Sequence, residues 1–192
     1  MGIGVADGTD HLPYARDLFK TLSNDLAEVD GSNGLQTTLQ DYLTSQEGYE
    51  TAIIESKFGS FILQSCINFL KNQGFDTDQH TYEITSVWLN EMTSGSDHRM
   101  HSHNGNIVSG CFYVDVPENS NNIMFEGFLS RFDKVALPVS EYTQFNSDSW
   151  TVPAQEGQLL CWNSYVKHGV PEQTFKGIRR SIAFDVSTQR KR

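Results

Sequence analysis

The sequence predicts a mainly β (α+β) fold of the jelly-roll kind, with N-terminal helices packed on one side. Three observations point there. Apolar positions recur every three to four residues through the first third of the chain, and after Gly74 that period gives way to two. The two-period segments are short, have no helices between them, and are separated by loops carrying Pro117, Pro138, Pro153 and Pro171. A length of 192 residues suits one compact domain, helical over about residues 9–74 and a β core over about 81–186.

Taken in order, Leu12, Ala15, Leu18, Phe19, Leu22 and Leu26 form one stripe, with Thr9 or Asp10 as its cap, so a helix is expected from Leu12 to Leu26. Asp30-Gly31-Ser32-Asn33-Gly34 breaks it. Leu35, Leu39, Tyr42 and Leu43 suggest a shorter second helix before Glu47-Gly48, and Phe58, Phe61, Ile62, Cys66, Phe69 and Leu70 a third that stops at Gly74. The first strand puts Tyr82, Ile84, Ser86, Trp88 and Asn90 on one side and Glu83, Thr85, Val87 and Leu89 on the other. Further strands are expected at 108–116, 122–126, 150–152, 158–162 and 179–186. No internal repeat or low-complexity segment interrupts this pattern.

Composition excludes several roles. Fourteen Lys and Arg against 24 Asp and Glu give a net charge of -10, with no basic footprint for nucleic acid or an anionic membrane. The cysteines, Cys66, Cys111 and Cys161, are odd in number and lack disulfide or zinc-ribbon spacing, so a reduced intracellular setting is expected. No stretch approaches the ~20 apolar residues that span a bilayer, and the start, MGIGVADGTDH, has neither the basic flank nor the apolar run of an export signal.

Chemistry concentrates in two places. His101 and His103 in HRMHSHNG are two apart, so on an extended backbone both imidazoles project from one side and can meet one ion, with His168 in VKHGV closing the set. Three imidazoles leave coordination positions open, as a catalytic centre needs. On pattern alone the run is equally a polar surface loop holding three of the six histidines, His98 included. In RRSIAF, alternation sends Arg179, Ser181 and Ala183 one way and Arg180, Ile182 and Phe184 the other. An inward guanidinium beside a hydroxyl suits a carboxylate; an ordinary ion pair with an acidic side chain is the competing reading.

Together these pieces resemble the 2-oxoglutarate and Fe(II)-dependent oxygenases, whose usual signature is H-x-D/E, a distal His, and in many members R-x-S shortly after it. SVWLNEM, HSHNGNIVSGCFYVDVPEN, VPAQEGQLLCWNSYVKHGVPE and RRSIAFDV are similar to small prolyl-4-hydroxylase-like proteins of bacteria and bacterial viruses, over roughly Thr81 to Val186. The resemblance implies a double-stranded β-helix, cofactors Fe(II), 2-oxoglutarate and O2, and a site in the cytoplasm of a bacterial or virus-infected cell. It makes His101 and His168 iron ligands and Arg179 with Ser181 the clamp for the distal carboxylate of 2-oxoglutarate. Tyr113 matches a pocket tyrosine, and Asn90 and Trp88 lie on a strand that contributes pocket residues. Trp88, Phe112 and Trp162 are otherwise read as core aromatics.

One position departs from the signature: the carboxylate expected two residues after His101 is His103. His103 itself, water, Asp97 or Glu126 would then complete the metal site, with His98 a bystander, and His103→Asp is expected to be tolerated. The resemblance implies hydroxylation of a C–H bond, with a peptidyl proline or other protein side chain as the favoured substrate. The rivals are a cupin-like three-His metalloenzyme that does not use 2-oxoglutarate, and a non-enzymatic binding or virion-associated module.

Overall fold

The computed structural model describes residues 2–22, 24–29, 33–38, 48–127, 139–143 and 146–191. The described residues begin with a strand that the sequence reading did not anticipate, β1 (Ile3–Asp7), too short to show a period, which pairs with a later strand at Gln158–Asn163. A short 3-10 turn leads into α1 (Leu12–Leu22), whose buried face is Ala15, Phe19 and Leu22. The helix stops four residues before the predicted end. Asp25 N donates to Leu22 O at 3.0 Å in a turn, and Leu26 packs on the same core from outside the helix.

Asn33 and Gly34 both take positive φ, so the break predicted there is a true reversal. The second helix expected from Leu35 is not found where the chain is described. Leu35 is buried and leads into β3 (Gln36–Thr37), which pairs with β2 (Ala27–Glu28), while Leu39, Tyr42 and Leu43 lie outside the described residues. Helix α2 (Tyr49–Ile54) follows Gly48, and α3 (Lys57–Asn72) begins at Ser56, whose hydroxyl accepts from Phe58 N and Gly59 N at 3.1 Å.

The β core comprises β4 (His80–Met92), β5 (His98–His101), β6 (Val108–Asp115), β7 (Ile123–Glu126), β8 (Ser149–Val152), β9 (Gln158–Asn163), β10 (His168–Val170) and β11 (Arg179–Arg190). Among the described residues they form a seven-stranded sheet, β1-β9-β6-β11-β4-β3-β2, facing a four-stranded one, β5-β10-β7-β8, with every pairing antiparallel. This is the jelly-roll, double-stranded β-helix arrangement that the sequence predicted, with helices against one face. Strands β5 and β10 went unpredicted because four and three residues of polar, His-bearing sequence carry too little alternation to read.

The large sheet separates two cores. On its outer face α1 and α3 bury Phe19, Phe58, Ile62 and Phe69 against Val87, Leu89, Phe112, Leu159, Ile182 and Phe184. Between the sheets, Cys111, Tyr113, Leu160 and Trp162 meet Ile123, Phe125 and Val170. Strand β4 corrects the predicted facing. Asp185 pairs with Ser86 but Val186 with Ile84, so Thr85 is an extra residue that reverses the alternation. Tyr82 and Ile84 therefore join Val87 and Leu89 in the helix-side core, while Trp88 and Asn90 keep the inter-sheet face. Among the described residues no helix is long and apolar enough to cross a membrane.

Gly110 sits mid-β6 where a Cβ would overlap the Phe184 ring and the Leu160 carbonyl. Gly110→Ala is predicted to destabilise the protein by about 1–3 kcal/mol through overpacking. Denaturant unfolding checks this, and an unchanged midpoint would contradict it.

Candidate metal centre

Strand pairing brings the first two histidines together. His101 closes β5 and His168 opens β10, and the two are cross-strand partners with ring centroids 4.4 Å apart. His103 lies just beyond β5, held by its backbone N, which donates to Ser164 O at 3.0 Å. One ligand atom from each of His101, His103 and His168 lies within 4.8 Å of the others.

The far nitrogen of each ring is committed. His101 Nδ1 lies 2.7 Å from Arg99 O, His168 Nδ1 3.0 Å from Val166 O, and His103 Nδ1 2.8 Å from Asp185 Oδ2. An oxygen acceptor requires N–H at each Nδ1, so each neutral ring keeps its lone pair on Nε2. Burial works the same way, pushing His168 down to about 2 and lowering His101 as well, so those imidazoles stay uncharged. Three imidazoles with anchored outer nitrogens, each able to offer Nε2, are what a borderline divalent transition metal takes.

The cavity that contains these rings also receives Arg179, Ser181, Tyr113, Asn90, Trp88 and Trp162. Arg179 is 3% exposed, yet among the described residues its Nε has no hydrogen-bond partner, and its Nη1 donates to the Met92 thioether at 3.2 Å. Its guanidinium carbon lies 5.1 Å from the Tyr113 ring centre, and the buried Tyr113 hydroxyl, close to Cys111 and Arg179, makes no hydrogen bond of normal geometry among the described residues. Ser181 stands opposite both Tyr113 and Asn90 in the sheet, on the same face as Arg179. Among the described residues this deep guanidinium has no counter-ion, which is costly, and a carboxylate among these donors would offset the cost. Arg180 points the other way and is satisfied there, with Glu91 at 2.6 Å, Asp115 at 3.2 Å and the Phe19 ring beneath it.

Other candidates have different surroundings. Oriented with its nitrogen toward Thr37, the Asn90 amide donates to Thr37 Oγ1 at 2.9 Å and accepts from Trp88 Nε1 at 3.3 Å, so both its ends hold the wall together. Trp88 stacks on His103 with ring centres 5.6 Å apart. Phe112 belongs to the helix-side core. Asp97 accepts from Asn33 Nδ2 at 2.8 Å, and among the described residues neither Asp97 nor Glu126 joins the three-histidine group. His98 lies outside that group too but lines the cavity, stacked on His101 at 4.2 Å, and burial pushes it down to about 3.

Sequence reasoning missed Asp185, although the alternation that sends Arg179 and Ser181 inward continues through Ala183 to Asp185. It also missed the pocket position of Trp162, whose buried indole N–H has no partner among the described residues.

Residues 86–185 match the sequence model of a family described as "Putative 2OG-Fe(II) oxygenase". Similar solved structures include a prolyl-4-hydroxylase from Pseudomonas putida, at 13% identity and a TM-score of 0.60, covering 100% of this chain and 93% of that one. HygX from Streptomyces hygroscopicus, with nickel and 2-oxoglutarate bound, is similar at 14% identity and a TM-score of 0.59, covering 97% and 82%. A viral collagen prolyl hydroxylase from Paramecium Bursaria Chlorella virus-1, in complex with 2OG, gives 11% identity and a TM-score of 0.56, covering 96% and 94%. At these identities the likeness concerns the fold. No curated protein matches the sequence.

The buried imidazoles carry a consequence for stability. His168 in the folded chain is depressed from its ordinary 6.5, so below that pH the unfolded chain binds the proton first. The contribution of this group to the stability of the metal-free protein should thus be flat above about pH 6.5 and fall as pH drops, by up to about 1.4 kcal/mol per pH unit. Denaturant unfolding between about pH 7 and pH 5 measures the slope. His168→Gln should flatten part of it, and a slope unchanged by that substitution would contradict the assignment.

Proposed function

Because this chain belongs to the 2OG-Fe(II) oxygenase family, enzymes that use Fe(II), 2-oxoglutarate and O2, we propose that its substrate is a peptide or protein side chain and its iron ligands are His101, His103 and His168. In this reading Arg179 and Ser181 hold the distal carboxylate of 2-oxoglutarate, with Tyr113 donating beside them and Asn90 keeping the wall in place. The observation that carries it is a buried guanidinium with no acidic partner among the described residues, in the same cavity as three histidines whose Nδ1 atoms are held by oxygen acceptors, which leaves Nε2 as the donor.

When bound, Fe(II) supplies the redox chemistry: 2-oxoglutarate, O2 and R–H are converted to succinate, CO2 and R–OH. The chain's own residues do the rest. Arg179 neutralises a carboxylate and, as a planar fork, fixes its direction as well as its charge. Ser181 and Tyr113 supply hydroxyl donors on the same face. Trp162, packed edge-on against Phe125 at 5.2 Å, and Trp88, stacked on His103, form apolar walls beside the rings. A peptidyl proline as that side chain draws support from fold-level likeness to prolyl hydroxylases, one of them solved with a peptide fragment of hypoxia inducible factor from Trichoplax adhaerens. A three-His enzyme without 2-oxoglutarate, or a module without chemistry, would leave the Arg179 guanidinium with no anion.

Two sets of variants test the reading. His101→Ala and His168→Ala should lose bound metal and His98→Ala should retain it, as metal analysis will show; the reverse order would overturn the ligand assignment. Arg179→Lys keeps the charge but loses the fork, and should weaken 2-oxoglutarate binding by about 1.5–3 kcal/mol. Arg180→Lys should do much less. Calorimetric binding to both variants decides it, and equal losses would mean that Arg179 is not the clamp.

A further inference from the structure

The usual facial centre combines two imidazoles with one carboxylate, which gives the protein's ligands a formal charge of about -1. Position 103 supplies a neutral ring instead. Its Nδ1 lies 2.8 Å from Asp185 Oδ2, and both side chains are largely buried, at 14% and 8% exposure. The other oxygen, Oδ1, accepts from Ser109 Oγ at 2.6 Å, and Ser109 Oγ lies 2.8 Å from Ser164 Oγ. Ser164 O in turn receives the backbone N–H of His103. Among the described residues no Lys or Arg pairs with Asp185. A buried carboxylate without a cation is expensive, and a metal bound to the far side of the imidazole would offset that cost.

We propose that Asp185 is a positioning residue that returns, through His103, the negative charge that the third ligand itself lacks. The inference rests on the three-histidine metal reading above. Three histidines plus Asp185 carry the same formal charge as two histidines plus a carboxylate, with the charge moved one imidazole away from the metal. The contact also fixes the ring's orientation and tautomer, because only Nδ1–H can face the carboxylate and Nε2 then faces the cavity. The sequence-based expectation for His103→Asp changes accordingly. That substitution sets a second carboxylate facing Asp185, and two like charges sharing a buried site oppose each other. The common triad is restored only when Asp185 is neutralised as well.

Co(II), an absorbing probe for the site, is titrated against a competing chelator into the full chain at fixed pH, with thermal unfolding of each metal-free form as the control for folding. Asp185→Asn should bind Co(II) about 10–100-fold more weakly than wild type. Ser109→Ala, which leaves the His103 contact in place, should lose much less. The double variant His103→Asp with Asp185→Asn should bind more tightly than His103→Asp alone. Equal affinity of Asp185→Asn and wild type, or tighter binding by His103→Asp alone than by the double variant, overturns the proposal while leaving the metal site intact. A wild-type chain that takes no Co(II) removes the three-histidine reading and this proposal with it. If Asp185→Asn does not fold, the wild type still decides: NMR should show a His103 Nδ1–H proton that persists when Zn(II) binds, and its loss on Zn(II) binding overturns the proposal.

Discussion

Three neutral imidazoles can aim their lone pairs at one point only if the proton on each opposite nitrogen is placed elsewhere. Here an oxygen stands at each Nδ1: the carbonyls of Arg99 and Val166 and the carboxylate of Asp185. Two of these acceptors come from backbone two residues before the histidine they serve, so strand geometry sets them without any further side chain. The third comes from β11, 82 residues away in sequence, and depends on the sheet being assembled. The pairing of His101 with His168 across β5 and β10 then fixes the distance between the two rings.

That arrangement needs a sheet with two different faces. The large sheet packs α1 and α3 on one side and leaves the other to the cavity, and β11 shows the division residue by residue. Ile182 and Phe184 enter the helix-side core, while Arg179, Ser181 and Ala183 line the cavity and Asp185 reaches His103. Arg180, on the helix side, has two carboxylates; Arg179 has none among the described residues. The same strand thus carries one arginine held by carboxylates on the helix side and one that faces the cavity with no acidic partner among the described residues.

Much of this could be read from the chain, and the exceptions have physical causes. The period change after Gly74, the spacing of His101, His103 and His168, and the alternation of Arg179 and Ser181 are local signals, and local signals survive in a single sequence. The facing of β4 was misread because one extra residue, Thr85, reverses it, and a bulge is visible only against its partner strand. Strands β5 and β10 are too short to show a period, and β1 owes its form to β9. The carboxylate absent from position 103 was sought nearby, at Asp97 or Glu126. The acid that contacts His103 is Asp185, and the inward alternation of RRSIAFDV already placed it on the right face.

The central claim is that one cavity holds iron and 2-oxoglutarate together, and an anaerobic Fe(II) titration with and without 2-oxoglutarate tests it most directly. A visible metal-to-ligand charge-transfer band that requires both components and saturates at one Fe(II) per chain is expected. The band should also be lost in His168→Ala and need more 2-oxoglutarate in Arg179→Lys. Stoichiometric Fe(II) binding with no such band at saturating 2-oxoglutarate, or a band unaffected by His168→Ala, would contradict the claim.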